Sequence, residues 1–153
     1  MRVALDTNIL VYAEGVNGMA AMTAASELIA RLPAGAGVLP GQTLAELFEL
    51  LVRKANRSRQ EAHASVLSWR NLLTTFGASS DALVAALDLA AHHQLRIWDS
   101  LVLATAAEAS CKLLLSEDIQ EGFTWRGVTV TNPFAARRHP LLEALLSSDR
   151  GAR

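Results

Sequence analysis

The sequence predicts an α/β fold, a three-layer α/β/α sandwich in which a short central parallel sheet is covered by helices on both faces. Short apolar runs of three or four residues alternate along the chain with longer helical segments, which is typical of this architecture. Hydrophobic residues make up 51% of the chain and charged residues 19%, so the sequence can build a core. A length of 153 residues favours one domain.

The strands are predicted from short, mainly apolar runs, because strands covered on both faces lack a solvent-facing side. The first run, residues 3–5, is followed by Asp6, Thr7 and Asn8, which we interpret as a polar turn. Residues 75–77 form either a further strand or only a connection. The other strands are predicted at residues 37–40, 112–115 and 128–130, with a polar turn over residues 116–122.

The helices are predicted from apolar residues at helical spacing and from residues that cap or end helices. They are expected at residues 19–32, 43–56, 59–73 and 98–109, from Ser79 or Ser80 to His93, and over residues 140–146. The inward-facing residues predicted in two of these helices are Leu44, Leu47, Phe48 and Leu51, and then Leu83, Val84, Leu87 and Ala91. The helix at residues 98–109 is so apolar that we expect it to be buried.

Composition excludes several classes of protein. Fourteen Lys and Arg nearly balance fifteen Asp and Glu, which rules out a strongly basic coat for nucleic acid. The single Cys111 excludes an intramolecular disulfide and a multi-cysteine zinc site, and we expect it to be a small core residue. His92 and His93 are adjacent, so they cannot form the i, i+4 zinc pair of a helix. We find no membrane helix and no signal peptide, and expect a cytoplasmic protein.

Four carboxylates are candidates for a functional site. Asp6 and Asp118 follow predicted strands, whose carboxyl ends meet at the edge of a parallel sheet where ligands bind. Asp99 opens a helix that is otherwise apolar. Each has an ordinary alternative: an Asx-turn or a helix cap for Asp6, a turn for Asp118, and a favourable helix-dipole contact for Asp99. The helical pattern alone places Glu46 on a solvated face.

The combination of these acids is more informative than any one of them. The strand-end segments and the start of the buried helix contain no matching basic partner for their carboxylates. Converging carboxylates raise one another's pKa unless a cation lies among them. Hard oxygen ligands favour Mg²⁺ or Mn²⁺ over zinc, so the residues point to a divalent metal site.

Four short motifs in order resemble the PIN domain family, and within it the VapC-type ribonuclease toxins of type II toxin-antitoxin systems. They are LDTNIL at residues 5–10, LAEL at 44–47, WDSLVLATA at 98–106 and LSED at 115–118, followed by VTVTNPF at 128–134. Each is short, but four in order over the length of one domain are specific. The resemblance covers residues 1–134 as a PIN-like nuclease domain and leaves residues 135–153 as a C-terminal tail without a family motif.

The resemblance implies an active site of acids that hold Mg²⁺ or Mn²⁺, supported by two polar side chains. The acids are Asp6, Glu46, Asp99 and Asp118, and the supporting residues are Asn8 and Ser116. In this interpretation Glu46 faces the rim of the active site rather than bulk solvent. The implied reaction is metal-assisted hydrolysis of RNA phosphodiester bonds, leaving 5′-phosphate and 3′-hydroxyl ends. A cognate antitoxin and a homodimer are also implied.

RNA held against an acidic pocket needs positive charge elsewhere. The densest basic cluster is Arg53, Lys54, Arg57 and Arg59, for which the alternative is a solvated helix end. A second candidate is the pair Arg137 and Arg138 at the start of the tail.

Two other functions compete with this one. A catalytically inactive PIN-like module would only bind RNA or protein, and the presence of all four acids argues against it. A phosphatase of the haloacid-dehalogenase type would need a second aspartate at Asn8, where the sequence has an amide.

Overall fold

The computed structural model describes residues 1–148, so the last five residues of the predicted tail, 149–153, lie outside the described residues. The strands are β1 Arg2–Leu5, β2 Gly37–Pro40, β3 Thr74–Phe76, β4 Cys111–Leu115, β5 Thr124–Trp125 and β6 Val128–Thr131. The helices are α1 Thr7–Ala13, α2 Met19–Ala30, α3 Gly41–Arg53, α4 Arg59–Leu72, α5 Ser80–His93, α6 Ile97–Glu108 and α7 Pro140–Ser147. Residues 75–77, where the sequence leaves a strand or a connection open, overlap β3.

The strands form one sheet in the order β3-β2-β1-β4-β6-β5. All neighbouring pairs are parallel except β5 and β6, which are antiparallel. The chain adds β2 and β3 on one side of β1 and then returns to add β4 on the other side. The switch point of the sheet therefore lies between β1 and β4, and open α/β sheets bind ligands beyond the carboxyl ends of the strands at such a point.

Successive side chains of each central strand enter two different cores, because neighbouring residues of a strand point to opposite faces. In β1, Val3 and Leu5 belong to a cluster built with α1, α2, α3, α4 and α7. Ala4 between them belongs to a second cluster built with α5 and α6. Helices thus cover both faces of the sheet, which confirms the predicted three-layer sandwich.

Two elements were absent from the prediction. The predicted polar turn at Asp6 is instead the start of α1, since the Asp6 side chain caps this helix by accepting a hydrogen bond from the Thr7 backbone N–H at 2.8 Å. Strand β5 forms a tight hairpin with β6. Its two turn residues, Arg126 and Gly127, both have positive φ angles, as such hairpin turns require.

The predicted inward face of α5 is wrong. Leu83, Val84 and Leu87 are 46%, 64% and 54% exposed, and Ala91 is exposed as well. The helix instead buries a face of small residues together with one leucine: Ala82, Ala85, Ala86 and Leu89. Small residues allow α5 to approach α6 closely, whereas the sequence pattern favoured the larger side chains that remain in water.

A helix forms where the sequence predicts a short one near residue 140. Leu142, Leu145 and Leu146 of α7 are buried in the first core cluster, so this part of the chain packs on the domain. Cys111 is 3% exposed in the second cluster, as predicted. Within residues 1–148, no helix is long and apolar enough to cross a membrane.

Candidate active site

The sheet brings together acids that are far apart in the sequence. Leu5 of β1 lies opposite Leu115 of β4, and both strands run in the same direction. Asp6 directly follows β1, and Asp118 follows β4 by three residues. Asp99 joins them from the first turn of α6. One carboxylate oxygen from each of Asp6, Asp99 and Asp118 lies within 4.8 Å of the others.

Asp6 is held in one orientation from two sides. It is 4% exposed. One carboxylate oxygen accepts the Thr7 backbone N–H, and the other accepts the Ser116 hydroxyl at 2.6 Å. The Ser116 oxygen in turn accepts the backbone N–H of Asp118 at 3.1 Å. Ser116 therefore links the ends of β1 and β4 through hydrogen bonds with Asp6 and Asp118.

Asp118 is exposed and is positioned by Asn8. The Asn8 amide nitrogen donates to both carboxylate oxygens, at 3.1 and 3.4 Å. Asn8 lies in the first turn of α1, so the helix absent from the prediction carries a residue that the sequence assigns to the site. Glu117, next to Asp118, points to a different partner: it accepts the Tyr12 hydroxyl at 2.7 Å.

Glu46 lines the same cavity as Asp99 and Asp118 but is not one of the three acids within 4.8 Å. Its carboxylate accepts hydrogen bonds from the Thr7 hydroxyl at 2.9 Å and from the Gln42 amide at 2.7 Å. These two donors fix it beside the cluster in a half-buried position. The carboxylate thus faces the cavity rather than bulk solvent.

The three-acid cluster has no internal counterion. Within residues 1–148, no Lys, Arg or His nitrogen lies within 4.0 Å of any of its carboxylates. Burial, together with the charges of Asp6 and Asp118, raises the pKa of Asp99 to about 6, although Arg96 opposes the shift. Burial also raises the pKa of Asp6, despite the hydrogen bonds it accepts from Ser116 and Thr7. Burial is the largest cause of both pKa shifts, and the charges of neighbouring carboxylates add to it.

The donor set fits a small divalent cation. Two oxygens bound to one ion at about 2.0–2.6 Å lie up to about 4–5 Å apart, which matches the separation of the three carboxylates. All three ligands are hard oxygen donors, the type that Mg²⁺ and Mn²⁺ prefer. Asp6, Asp99 and Asp118 could hold such an ion directly, and Glu46 lies at the edge of the group.

The predicted basic cluster is divided by the structure. Arg53 and Lys54, at the end of α3, line a cavity of about 700 Å³ together with Glu46, Asp99 and Asp118. Arg57 instead forms a salt bridge with Glu14 at 2.8 Å, with side-chain exposures of 26% and 18%. Arg59 is exposed at the start of α4 and does not line this cavity. Of the second candidate pair, Arg138 lies near Glu143 at 3.7 Å, and neither it nor Arg137 lines the cavity.

Sequence reasoning missed three residues that shape the site: Thr7, Gln42 and Trp98. Thr7 and Gln42 both donate to Glu46, and Trp98 borders the cavity. Gln42 lies four residues before Glu46 on one helix, a spacing at which side chains meet, so that contact could have been predicted. The Thr7 contact depends on how α1 packs against α3, which no local pattern specifies.

The PIN domain family model matches residues 3–121 of the chain. No curated protein matches the chain in sequence. Several solved structures share its fold at low sequence identity.

One is Mycobacterium tuberculosis VapC20, a sarcin-ricin loop cleaving toxin, with 18% identity and a TM-score of 0.64. It covers 76% of this chain and 91% of its own. A toxin-antitoxin complex from Klebsiella pneumoniae has 18% identity and a TM-score of 0.64, covering 86% of this chain and 98% of its own. FitAcB from Neisseria gonorrhoeae has 18% identity and a TM-score of 0.63, with the same coverages of 86% and 98%.

Proposed function

The chain belongs to the PIN domain family, and from this premise we propose that it is a metal-dependent endoribonuclease that hydrolyses RNA phosphodiester bonds. The observation that carries the proposal is the set of three carboxylates within 4.8 Å that no described cation neutralises. An acidic cluster of this kind at the switch point of a parallel sheet is suited to hold Mg²⁺ or Mn²⁺ against a phosphate.

When bound, a divalent ion would lower the pKa of its water so that hydroxide is available near neutral pH, and it would offset negative charge on the phosphate. The residues of the chain act by position. Asp6, Asp99 and Asp118 hold the ion, Ser116 and Asn8 keep two of these carboxylates in place, and Glu46 adds charge at the rim. This assignment requires no nucleophilic side chain.

Arg53 and Lys54 are proposed to contact the RNA backbone. Both line the cavity that Asp99 and Asp118 also line. Within residues 1–148, Arg53 forms a salt bridge only with Glu49, at 3.6 Å, and such an exposed pair contributes little to stability. Arg57 is engaged with Glu14 and Arg59 lies outside the cavity, so we assign neither to RNA. Positive charge beside the acids offsets the repulsion between RNA phosphates and the carboxylates.

We further propose that the protein is the toxin of a toxin-antitoxin pair that acts on RNA in the cytoplasm. The support is the fold shared with VapC20 and with toxin-antitoxin complexes. The partners proposed are an RNA substrate, a cognate antitoxin and a second copy of the chain. The exposed apolar face of α5 offers a surface for protein contact, since Leu83, Val84 and Leu87 lie in water there.

The proposal is tested by the pair Asp99→Asn and Asp81→Asn. Asp99 lies in the first turn of α6, and Asp81 lies exposed in the first turn of α5, so the control removes a carboxylate from a similar place outside the site. With Mg²⁺ or Mn²⁺ and structured RNA, we expect Asp99→Asn to lower cleavage by at least about 100-fold, because an ion ligand is lost. Asp81→Asn should cleave at the parental rate, and the products should carry 5′-phosphate ends.

Full activity in Asp99→Asn would remove the metal-site assignment. RNA binding by a parent protein that cleaves nothing, at any concentration of either metal, would favour the inactive binding module instead.

A further inference from the structure

The protein has three tryptophans, and two of them have clear structural partners. Trp69 donates from its indole nitrogen to Glu14 at 2.8 Å. The guanidinium of Arg126 lies over the ring of Trp125, 4.5 Å from the centroid. Trp98 is 54% exposed, and no aromatic ring or cationic side chain within residues 1–148 stacks on it. Trp98 therefore differs from the other two, because within the described residues its indole has neither a hydrogen-bond acceptor nor a stacked side chain.

The exposed Trp98 lies beside the acids of the candidate site. The side chain lines the cavity that contains Asp99 and Asp118, and the same cavity is lined by Arg53 and Lys54. An aromatic surface beside basic side chains is the combination with which proteins bind single-stranded nucleic acid, the bases stacking while the phosphates meet positive charge. An isolated exposed aromatic elsewhere on the surface would carry no such implication.

The backbone at Trp98 is fixed relative to the acids. The residue lies in the first turn of α6, immediately before Asp99. Its carbonyl accepts a hydrogen bond from the Gln42 amide nitrogen at 3.3 Å, and the same nitrogen donates to Glu46 at 2.7 Å. The helix start and this shared amide thus hold the backbone of Trp98 at a set distance from the cluster, which keeps the residue beside the acids as a binding residue requires.

We propose that Trp98 stacks on an unpaired base of the RNA next to the phosphate that is cut. The inference rests on the proposed ribonuclease function and names the substrate feature that the site selects. Every base has a face on which an indole can stack, so Trp98 favours single-stranded RNA without reading a particular sequence. A base inside a duplex is already stacked and paired, which excludes it from this contact.

The test is direct binding of a labelled single-stranded RNA of eight nucleotides in EDTA, where the RNA stays intact. We expect Trp98→Ala to weaken binding by between about 5-fold and 150-fold, the range for loss of one stacked base. Trp98→Phe should recover most of the affinity, and Trp98→Leu should not, because only the first keeps an aromatic ring. Leu72→Ala is the matched control, since Leu72 is 64% exposed outside the cavity.

Two further measurements make the test specific to base stacking. A duplex of the same sequence should bind the parent and Trp98→Ala within about 2-fold of each other, because its bases cannot reach the indole. An abasic site moved along the single strand should weaken binding by the parent at one position and cause no further loss in Trp98→Ala at that position.

Equal affinity of the parent and both Trp98→Ala and Trp98→Leu for single-stranded RNA would overturn the proposal, and so would an equal loss on duplex RNA. Undetectable binding by the parent would contradict it as well. Because binding is measured in EDTA, the result is separate from cleavage. A protein that binds through Trp98 but never cleaves RNA would refute the nuclease and keep the stacking contact, whereas an active nuclease indifferent to Trp98 would refute only the stacking.

Discussion

Glu14 and the three-acid cluster differ in how the fold treats their negative charge. Glu14, at the end of α1, accepts the Arg57 guanidinium at 2.8 Å and the Trp69 indole N–H at 2.8 Å. Asp6, Asp99 and Asp118, at the carboxyl ends of the strands, have only one another and neutral donors within the described residues. One group is neutralised by the fold, and the other is not.

We infer from this difference that Glu14 stabilises the fold, whereas the three-acid cluster serves the function of the site. Glu14 joins α1 to the α3–α4 connection, because Arg57 also donates to the Glu14 backbone carbonyl at 3.0 Å and to Ser65 at 3.1 Å. The three-acid cluster makes the metal-free fold less stable through mutual repulsion, a cost that persists only where the site serves another purpose. A cation from solution would relieve it.

The largest difference in stability is expected between Glu14→Gln and Asp99→Asn in metal-free protein. Glu14→Gln leaves the Arg57 guanidinium half-buried without its counterion, so the free energy of unfolding should fall by about 1–3 kcal/mol. Asp99→Asn removes one of three repelling charges and should hold or raise the stability. Urea unfolding of both variants in EDTA measures the two values. A loss of stability in Asp99→Asn as large as in Glu14→Gln would remove the distinction between the two sites.

The pH dependence of stability also separates the parent from Asp99→Asn. The Asp99 carboxyl has a folded pKa of about 6, above its ordinary value of 3.8, because of burial and neighbouring acids. Between about pH 4 and pH 6 the folded state then binds more protons than the unfolded chain, so stability falls as pH rises through this window. Acidifying the metal-free parent from about pH 7 to pH 5 should therefore raise its free energy of unfolding by about 1–2 kcal/mol more than the same change raises that of Asp99→Asn. Identical pH profiles for the two proteins would contradict this.

The smallest expected effect concerns the cations. Replacing Arg53 and Lys54 with alanine should weaken RNA binding uniformly across sequences and flatten its dependence on salt by about 1 to 1.5 units of slope. Arg59→Ala should leave the slope unchanged, since Arg59 lies outside the cavity. Arg57→Ala should lower stability rather than the slope, because its guanidinium is bound to Glu14. The measurement is RNA affinity over a range of salt concentrations. An unchanged slope in the double variant would show that Arg53 and Lys54 are solvated charges that do not contact RNA.

Much of the sheet was predictable from sequence, because strands buried on both faces consist of short, mainly apolar segments. Residues 37–40 and 128–130 fall within β2 and β6 for this reason. Helix α1 was not predictable in the same way, since Asp6, Thr7 and Asn8 suit a turn as well as a helix start. Only the capping contact from Asp6 to the Thr7 backbone decides between them.

Two features could not be predicted from local sequence patterns: which face of α5 is buried, and which partners the basic residues contact. Leu87 and Ala85 lie on different faces of one helix, and the pattern favoured the leucine, but close packing against α6 selects the alanine. Arg57 and Arg53 belong to one charged run in the sequence. Their different partners follow from the position of Glu14 at the end of α1, a tertiary fact that the run does not contain.

We propose that the cluster of Asp6, Asp99 and Asp118 binds a divalent cation. The melting temperature of the protein with added Mg²⁺ or Mn²⁺ measures this binding without RNA. At about 100 times the dissociation constant, binding to the folded state should stabilise the parent by about 2.7 kcal/mol and raise its melting temperature by about 5–10 °C. We expect a clearly smaller rise for Asp99→Asn and a rise equal to that of the parent for Asp81→Asn. An equal rise in all three proteins, or no rise in the parent, would contradict it.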